Sequence, residues 1–539
     1  MNTLETQAPK SEPQSPKSQT EVNRRLVVTN SISNYGQYAI AILVGIFLQS
    51  YMIRALGKNE YALWPLINTC IGFVALIPVS IGSGTARFLA HALGEADLKK
   101  VEQITTSSFC ALLVTAAAYG IGVIFLSIYF ERIFDIPTGA VGVGPWAMLL
   151  TGLSGMVSIP FSIFNGGLRA AQKFVILNTL QVVFQITRLI LIISAFTFGT
   201  PSLIWVGGIY LFLELVNGVA TLLVARQVIP WNKIRRESFS WDVLWEVNNF
   251  SLLVLVIQIA GLLYWKTDNI IINKLLDPSL LTGYSVVASF VIHCYQFTSL
   301  GTTVLRPTAT ILYAEKNVPR LRRLIYRTNR IIVPVTVSVL FFLIIYGPVI
   351  LDVYIGPAYR EYAVLFPLLA GGCIFSVTQS AAGTVPHAFG RLLLVSSISL
   401  ISAVTNVLLS VFFVLVWKWG LIGVAAGTAI VTVIEKAVFW PWYTASLLEI
   451  PWHEYVYESY IVPLGNCLPI VFVMLGLRWI GFGKDLVELI SVVVIGGSIE
   501  AAYLFAWGID RSDRATIKVH LRRYWHSFYN IKNTTTYSV

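Results

Sequence analysis

Residues 178–190 read NTLQVVFQITRLI. Asn178, Gln181, Gln185 and Arg188 recur at every third or fourth position, and the residues between them are almost all apolar. At about 3.6 residues per turn, those four side chains share one face of a helix. A helix that is apolar elsewhere and polar along one seam suits a place where lipid covers most of it and protein or water meets the seam. The stretch therefore reads as a membrane-crossing helix on the wall of a polar interior, with Arg188 near the end of the seam.

The rest of the chain supports that setting. Of 539 residues, 56% are hydrophobic and 12% charged, against roughly 25% charged in soluble domains; the mean hydropathy is +0.72. Apolar stretches of about 20 residues, enough to cross a hydrocarbon core of roughly 30 Å, recur along the chain. They lie near 31–53, 60–81, 104–130, 143–164, 174–197, 202–225, 248–273, 281–305, 331–354, 362–384, 392–416, 420–443, 460–480 and 486–508. The runs are continuous and lack the apolar–polar alternation of a barrel wall. The fold class that follows is an all-α polytopic membrane protein with fourteen transmembrane helices.

The ends are different. MNTLETQAPKSEPQSPKSQTEVNRR, rich in Pro, Ser, Gln and Thr, contains no apolar core of a signal peptide and reads as a disordered cytoplasmic tail over 1–28. A basic tail follows at 510–539, where Ile517, Leu521, Trp525 and Phe528 fit a helix lying on the membrane surface. With the N-terminus inside, the inner segments carry roughly 27 of the 38 Lys and Arg, so both termini are expected in the cytoplasm. This basic charge sets orientation and attracts anionic headgroups; nucleic acid is not an expected partner. The five cysteines show no paired spacing, so neither disulfides nor a metal site is expected.

An internal repeat organises the spans. IRALGKNEYALWPLINT from residue 53 resembles INKLLDPSLLTGYSVVA from residue 272, and GSGTAR (82–87) falls on GTTVLR (301–306) at the same offset. RAAQKF from 169 lies over HAFGRL from 387. Six spans per copy is an even number, so both copies insert with one orientation and are related by a pseudo-two-fold axis along the membrane normal. The expected units are an N-lobe at 29–230, a C-lobe at 231–450 and two additional spans at 451–509.

Few charges lie within the spans, and charges there face protein or water because lipid exposure costs about 2.5–3.5 kcal/mol each. Arg188 and Glu214 lie at similar distances from the turn near residue 200 and are expected to pair. The pair either clamps two helices or offers its guanidinium to an anionic group. Lys266 and Asp268 lie in the seventh span, and Gln49 is the repeat counterpart of Asp268. Ser285, Ser289, His293 and Gln296 form a polar seam in the eighth span. In the eleventh, Asn406 ends a seam equivalent to the opening one but without an arginine. Together these faces suggest a wet cavity that lipid does not reach, with Pro65, Pro78, Pro307, Pro334 and Pro367 supplying bends. There is no phosphate loop, HExxH or GxSxG, so catalysis and cofactors are not expected.

LGKNEYALWPLINTCIGFVALIPVSIGSGTARFLA after the first span and TDNIIINKLLDPSLLTGYSVVASF across the seventh and eighth resemble the polysaccharide transporter branch, the Wzx-type flippases, of the MOP superfamily. The positions carrying the resemblance are Gly57, Tyr61, Arg87 and Asp268. The resemblance implies a two-lobed, V-shaped carrier that moves an undecaprenyl-pyrophosphate-linked oligosaccharide from the inner to the outer leaflet of a bacterial cytoplasmic (inner) membrane. A polysaccharide polymerase and glycosyltransferases are its implied further partners, beside membrane lipids. The rival readings are a multidrug or cation antiporter of the same superfamily, which would want membrane-embedded carboxylates in the N-lobe, and a non-transporting component or integral glycosyltransferase or polymerase.

Overall fold

The structure is a computed structural model of the chain and describes residues 16–95, 97–229, 234–303, 305–508 and 514. The expected tail at 510–539 lies outside these residues apart from Arg514, as do residues 1–15 of the tail expected at 1–28; α1 is drawn from Pro16.

Among the described residues thirteen helical segments are long and apolar enough to cross a membrane, and a bent pair counted as one makes fourteen, labelled in chain order. They are α1 Pro16–Tyr61, α2 Leu63–Val74 with Leu76–Gly94, α3 Leu98–Ile128, α4 Val143–Ala170, α5 Phe174–Phe198, α6 Leu203–Val228 and α7 Trp241–Leu275. There follow α8 Leu280–Thr303, α9 Val318–Ile355, α10 Pro357–Thr378, α11 Leu392–Leu415, α12 Gly420–Leu447, α13 Trp452–Trp479 and α14 Leu486–Gly508. Among the described residues there is no strand. Helices prevail because hydrocarbon offers backbone amides and carbonyls no partner except within the segment itself. Side chains of Asp97, Ser240, Asn317 and Asp485 cap the free amides that start α3, α7, α9 and α14.

Two breaks shape the first half. Gly57 takes φ +77° near the end of α1, a conformation that residues with a Cβ rarely adopt. The halves of α2 meet at 56° around Ala75; Pro78, lacking an N–H, cannot bond the carbonyl of Val74 four residues back.

Lipid tails are as apolar as leucine, so close packing and polar bonds hold the helices together. Gly218 lets α6 lie directly on Phe161 of α4, with no space for a Cβ. The two helices beyond the repeat are fastened to α9: Ser338 donates to Glu500 at 2.9 Å, Arg330 pairs with Glu458 at 2.7 Å, and the Tyr346 hydroxyl donates to the Met474 carbonyl at 3.1 Å. π-helical turns interrupt α12, α13 and α14 at Ile434–Phe439, Tyr457–Ile461 and Leu504–Gly508.

The two halves meet along α1 with α8 and α2 with α7. Lower on this seam, at the end where α1 begins, Tyr38 donates to Gln296 at 2.7 Å and the Arg87 guanidinium lies 4.2 Å from the Phe250 ring centroid. The opposite end is laced more heavily. Arg54 donates to the carbonyls of Val353 (2.8 Å) and Tyr354 (3.0 Å) at the C-terminal end of α9, where the helix dipole is negative. Asn273 bonds both the amide (3.1 Å) and the carbonyl (2.8 Å) of Asp135, whose carboxylate pairs with Lys274 at 3.3 Å. Thr282 donates to the Lys58 carbonyl at 2.6 Å.

Candidate functional site

Beneath that laced end, between the halves, lies a cavity of about 320 Å³. Gln49 and Tyr61 of α1, Trp64 and Asn68 of α2 and Tyr210 of α6 form one wall. Trp265, Lys266, Asp268 and Asn269 of α7, Tyr284, Ser285 and Ser289 of α8, Cys373 and Ser376 of α10 and Thr428 and Thr432 of α12 form the other. Amides, hydroxyls and the faces of aromatic rings dominate it.

Of the polar residues singled out from sequence, Gln49 lies in the first wall and Lys266, Asp268, Ser285 and Ser289 in the second. Gln49 accepts from Ser289 at 3.0 Å and from the Tyr354 hydroxyl at 3.2 Å, so it touches the second half of the molecule from α1. Lys266 makes no ion pair among the described residues. Its long stem reaches the cavity although it lies roughly 200° round the helix from Asp268.

Asp268 is buried. One carboxylate oxygen accepts from the hydroxyls of Tyr284 and of Thr428, the latter at 3.0 Å, and the other has no partner. Asn406, also buried, lies 3.1 Å from the same Thr428 hydroxyl, whose single proton serves either it or Asp268, accepts from Ser410 at 3.3 Å and donates to the Tyr264 carbonyl at 3.4 Å. A cluster of side-chain oxygens from α7, α11 and α12 thus meets at the edge of the cavity, with one carboxylate oxygen still able to accept a proton or ligate a small hard cation. No group of three or more His, Cys, Asp and Glu is gathered for a metal ion among the described residues.

The opening seam lies behind the wall. Arg188 pairs with Glu214 at 3.2 Å, as the hairpin spacing predicts, and Glu214 also accepts from Asn217 at 3.3 Å. The Arg188 guanidinium lies 4.1 Å from the Tyr210 ring centroid, and Tyr210 meets Trp64 edge-on at 5.4 Å. Tyr210 and Trp64 line the cavity, so Arg188 stands one aromatic layer back, with a fifth of its side chain exposed. Asn178 pins α5 to α1 by donating to Ser33 at 2.9 Å and Asn34 at 2.7 Å. Gln181 and Gln185 are half-buried on the same helix and do not line the cavity; neither do His293 and Gln296, further along α8. His293 Nδ1 is buried without a partner.

Trp64 and Tyr284 of the aromatic wall and the threonines of α12 were not singled out from sequence. Thr428 and Thr432 are four residues apart in the otherwise apolar first half of α12, Gly420–Val433, a spacing that places them on one face and was the available signal.

A family model described as "Polysaccharide biosynthesis protein" matches residues 51–364, more than half the chain and every helix from α2 to α9. The chain belongs to that family. No curated protein matches this family member by sequence. Among solved structures it is similar to the lipid II flippase MurJ in an inward closed conformation, with a TM-score of 0.67 and 15% identity over 88% of this chain and 98% of that one. It is also similar to a multidrug resistance MATE family transporter of the MOP superfamily, in inward-facing form (TM-score 0.59, 16% identity, 79% and 98% covered) and outward-facing form (0.60, 14%, 79% and 97%). These likenesses show the fold: this family member is a multi-pass membrane protein with the helical architecture of MOP-superfamily proteins.

Proposed function

We propose that the protein carries a lipid-linked oligosaccharide from the inner to the outer leaflet of a bacterial cytoplasmic membrane, holding its phosphorylated head in the cavity between the halves. The observation that carries this reading is an unpaired Lys266 beside amides, hydroxyls and ring faces in a cavity within the membrane. An ammonium attracts a phosphate; amides and hydroxyls bond sugar hydroxyls, and aromatic faces cover the sugar's apolar side. Membership of a polysaccharide biosynthesis family supports a glycan cargo, and similarity to a lipid II flippase supports a lipid-linked one.

At about 320 Å³ the cavity is at the small end of ligand sites, roughly 300–1,000 Å³, so the halves part to admit more than part of a glycan. Parting at alternate ends exposes the site to one leaflet and then the other. Moving net negative charge outward is favoured by about 2.3 kcal/mol per charge per 100 mV of inside-negative potential. Asp268 supplies coupling: uptake of a proton or monovalent cation at its free oxygen rearranges its bonds to Tyr284 and Thr428, and so the fit of α7 against α8 and α12. Arg188 acts from behind Tyr210, fixing the wall and meeting the phosphate only when that ring moves.

A multidrug resistance transporter shares the fold, but an unpaired lysine in the cavity disfavours the alternative reading, export of organic cations, because it repels such a cargo. The deciding experiment removes the gene and measures lipid-linked sugars on each leaflet. Accumulation on the inner leaflet, with restoration by the intact gene, is the expected result. Normal outer-leaflet glycan together with hypersensitivity to cationic drugs would overturn the reading.

A further inference from the structure

A second concavity lies at the end of the molecule where α1 begins. The short helix Leu305–Ala314, which follows α8, and the first turns of α9 enclose a groove of about 600 Å³. Arg320, Arg323 and Arg327, spaced along one face of α9, line it, with Ile311 and Leu324 as an apolar floor and Glu315 at its edge.

The arginines of α9 divide by direction. On the side facing α13, Arg322 pairs with Glu454 at 3.4 Å and Arg330 with Glu458 at 2.7 Å. On the groove side, Arg320 and Arg323 are exposed and form no ion pair among the described residues. The positive end of the α9 dipole lies beside them, its first turn capped by Asn317, which accepts from the Arg320 amide at 3.2 Å. Arg327 precedes the apolar run that starts near residue 331 by four residues, or about 6 Å of helix, so the groove opens at headgroup level.

We propose that this groove is a binding site for the phosphate of an anionic lipid, its two free guanidinium groups grasping the phosphate oxygens and its floor receiving the start of the chain. Arginine suits this task because its planar fork matches two phosphate oxygens and keeps its charge. A lipid phosphate is available from two sources, an anionic phospholipid of the surrounding leaflet and the pyrophosphate of a polyprenyl carrier. Binding is read without transport, so failure of the export reading leaves this site standing, and the reverse.

The test uses the full chain in phosphatidylcholine nanodiscs, titrated with phosphatidylglycerol or with undecaprenyl pyrophosphate, and counts retained lipid by native mass spectrometry. R320Q/R323Q is compared with K99Q/K100Q, which removes the same charge elsewhere at this end of the molecule. The first pair is expected to weaken binding of the preferred lipid about tenfold and the second less than about twofold, with melting temperatures unchanged. Preference for phosphatidylglycerol identifies a phospholipid site; preference for undecaprenyl pyrophosphate identifies a loading site for the carrier. Equal losses for both pairs, or no loss for R320Q/R323Q, would overturn the proposal, since general attraction of a basic surface then accounts for the binding.

Discussion

Ser289 on α8 donates a hydrogen bond to Gln49 on α1 at 3.0 Å, across the line where the two halves of the molecule meet. Both side chains line the central cavity, and Gln49 accepts a second bond from Tyr354 of α9. The contact is therefore both a part of the site's lining and a link between the two halves. Gln49→Leu is expected to slow export while leaving the protein folded, because the Ser289 and Tyr354 hydroxyls it releases keep the carbonyls of Val286 (2.8 Å) and Ile46 (2.6 Å) as acceptors. Outer-leaflet glycan in complemented deletion cells is the readout; normal export by this variant would remove the contact from the transport cycle.

Lys266 tests the charge of the site. Lys266→Gln is expected to reduce export about tenfold or more, which corresponds to the loss of roughly 1.4 kcal/mol of attraction, and Lys266→Arg to retain most of it. If the glutamine variant binds the cargo as tightly as the native protein, as judged by protection against thermal unfolding, the phosphate is held elsewhere.

The Arg188–Glu214 pair makes a different prediction. With four-fifths of both side chains covered, removal of one partner leaves an uncompensated charge, a cost on the order of 3 kcal/mol. Glu214→Gln should lower the melting temperature in detergent, and Arg188→Gln/Glu214→Gln should recover part of the loss. A double variant less stable than either single one would show that the two residues are not coupled.

How much of this was legible in the residues differs between the pair and the cavity. A short turn between Phe198 and Leu203 fixes the register of α5 against α6, so similar spacing from the turn was enough to match Arg188 with Glu214. The candidate spans were legible for a similar reason, since hydrocarbon thickness sets a length that apolar runs must meet. Rotation of a helix about its axis is set by neighbours far away in sequence. A polar seam shows that α5 turns one face from lipid, but only packing decides that Tyr210 and Trp64 come between that face and the cavity. The same limit hid the chain of bonds from Asp268 through Thr428 to Asn406, which joins three helices.

In the proposed function Asp268 couples export to an ion. Asp268→Asn keeps atoms able to bond Tyr284 and Thr428 but removes the charge and the acceptor pair, so the variant should fold and bind cargo yet lose dependence of transport on the proton or sodium gradient. Reconstituted vesicles with each gradient imposed separately make the measurement. Undiminished gradient dependence in the variant would assign coupling to another residue.

The most direct measurement concerns the end where Asp135 meets Lys274 at 3.3 Å. With the five native cysteines replaced by alanine, Asp135→Cys and Lys274→Cys permit a short, reducible thiol cross-link between the α3–α4 loop and α7. If the halves must part there to release a lipid-linked sugar from the cavity, cross-linked protein in vesicles will stop delivering it to the second leaflet, and reduction will restore delivery. Full transport by the cross-linked protein would contradict release by separation of the halves.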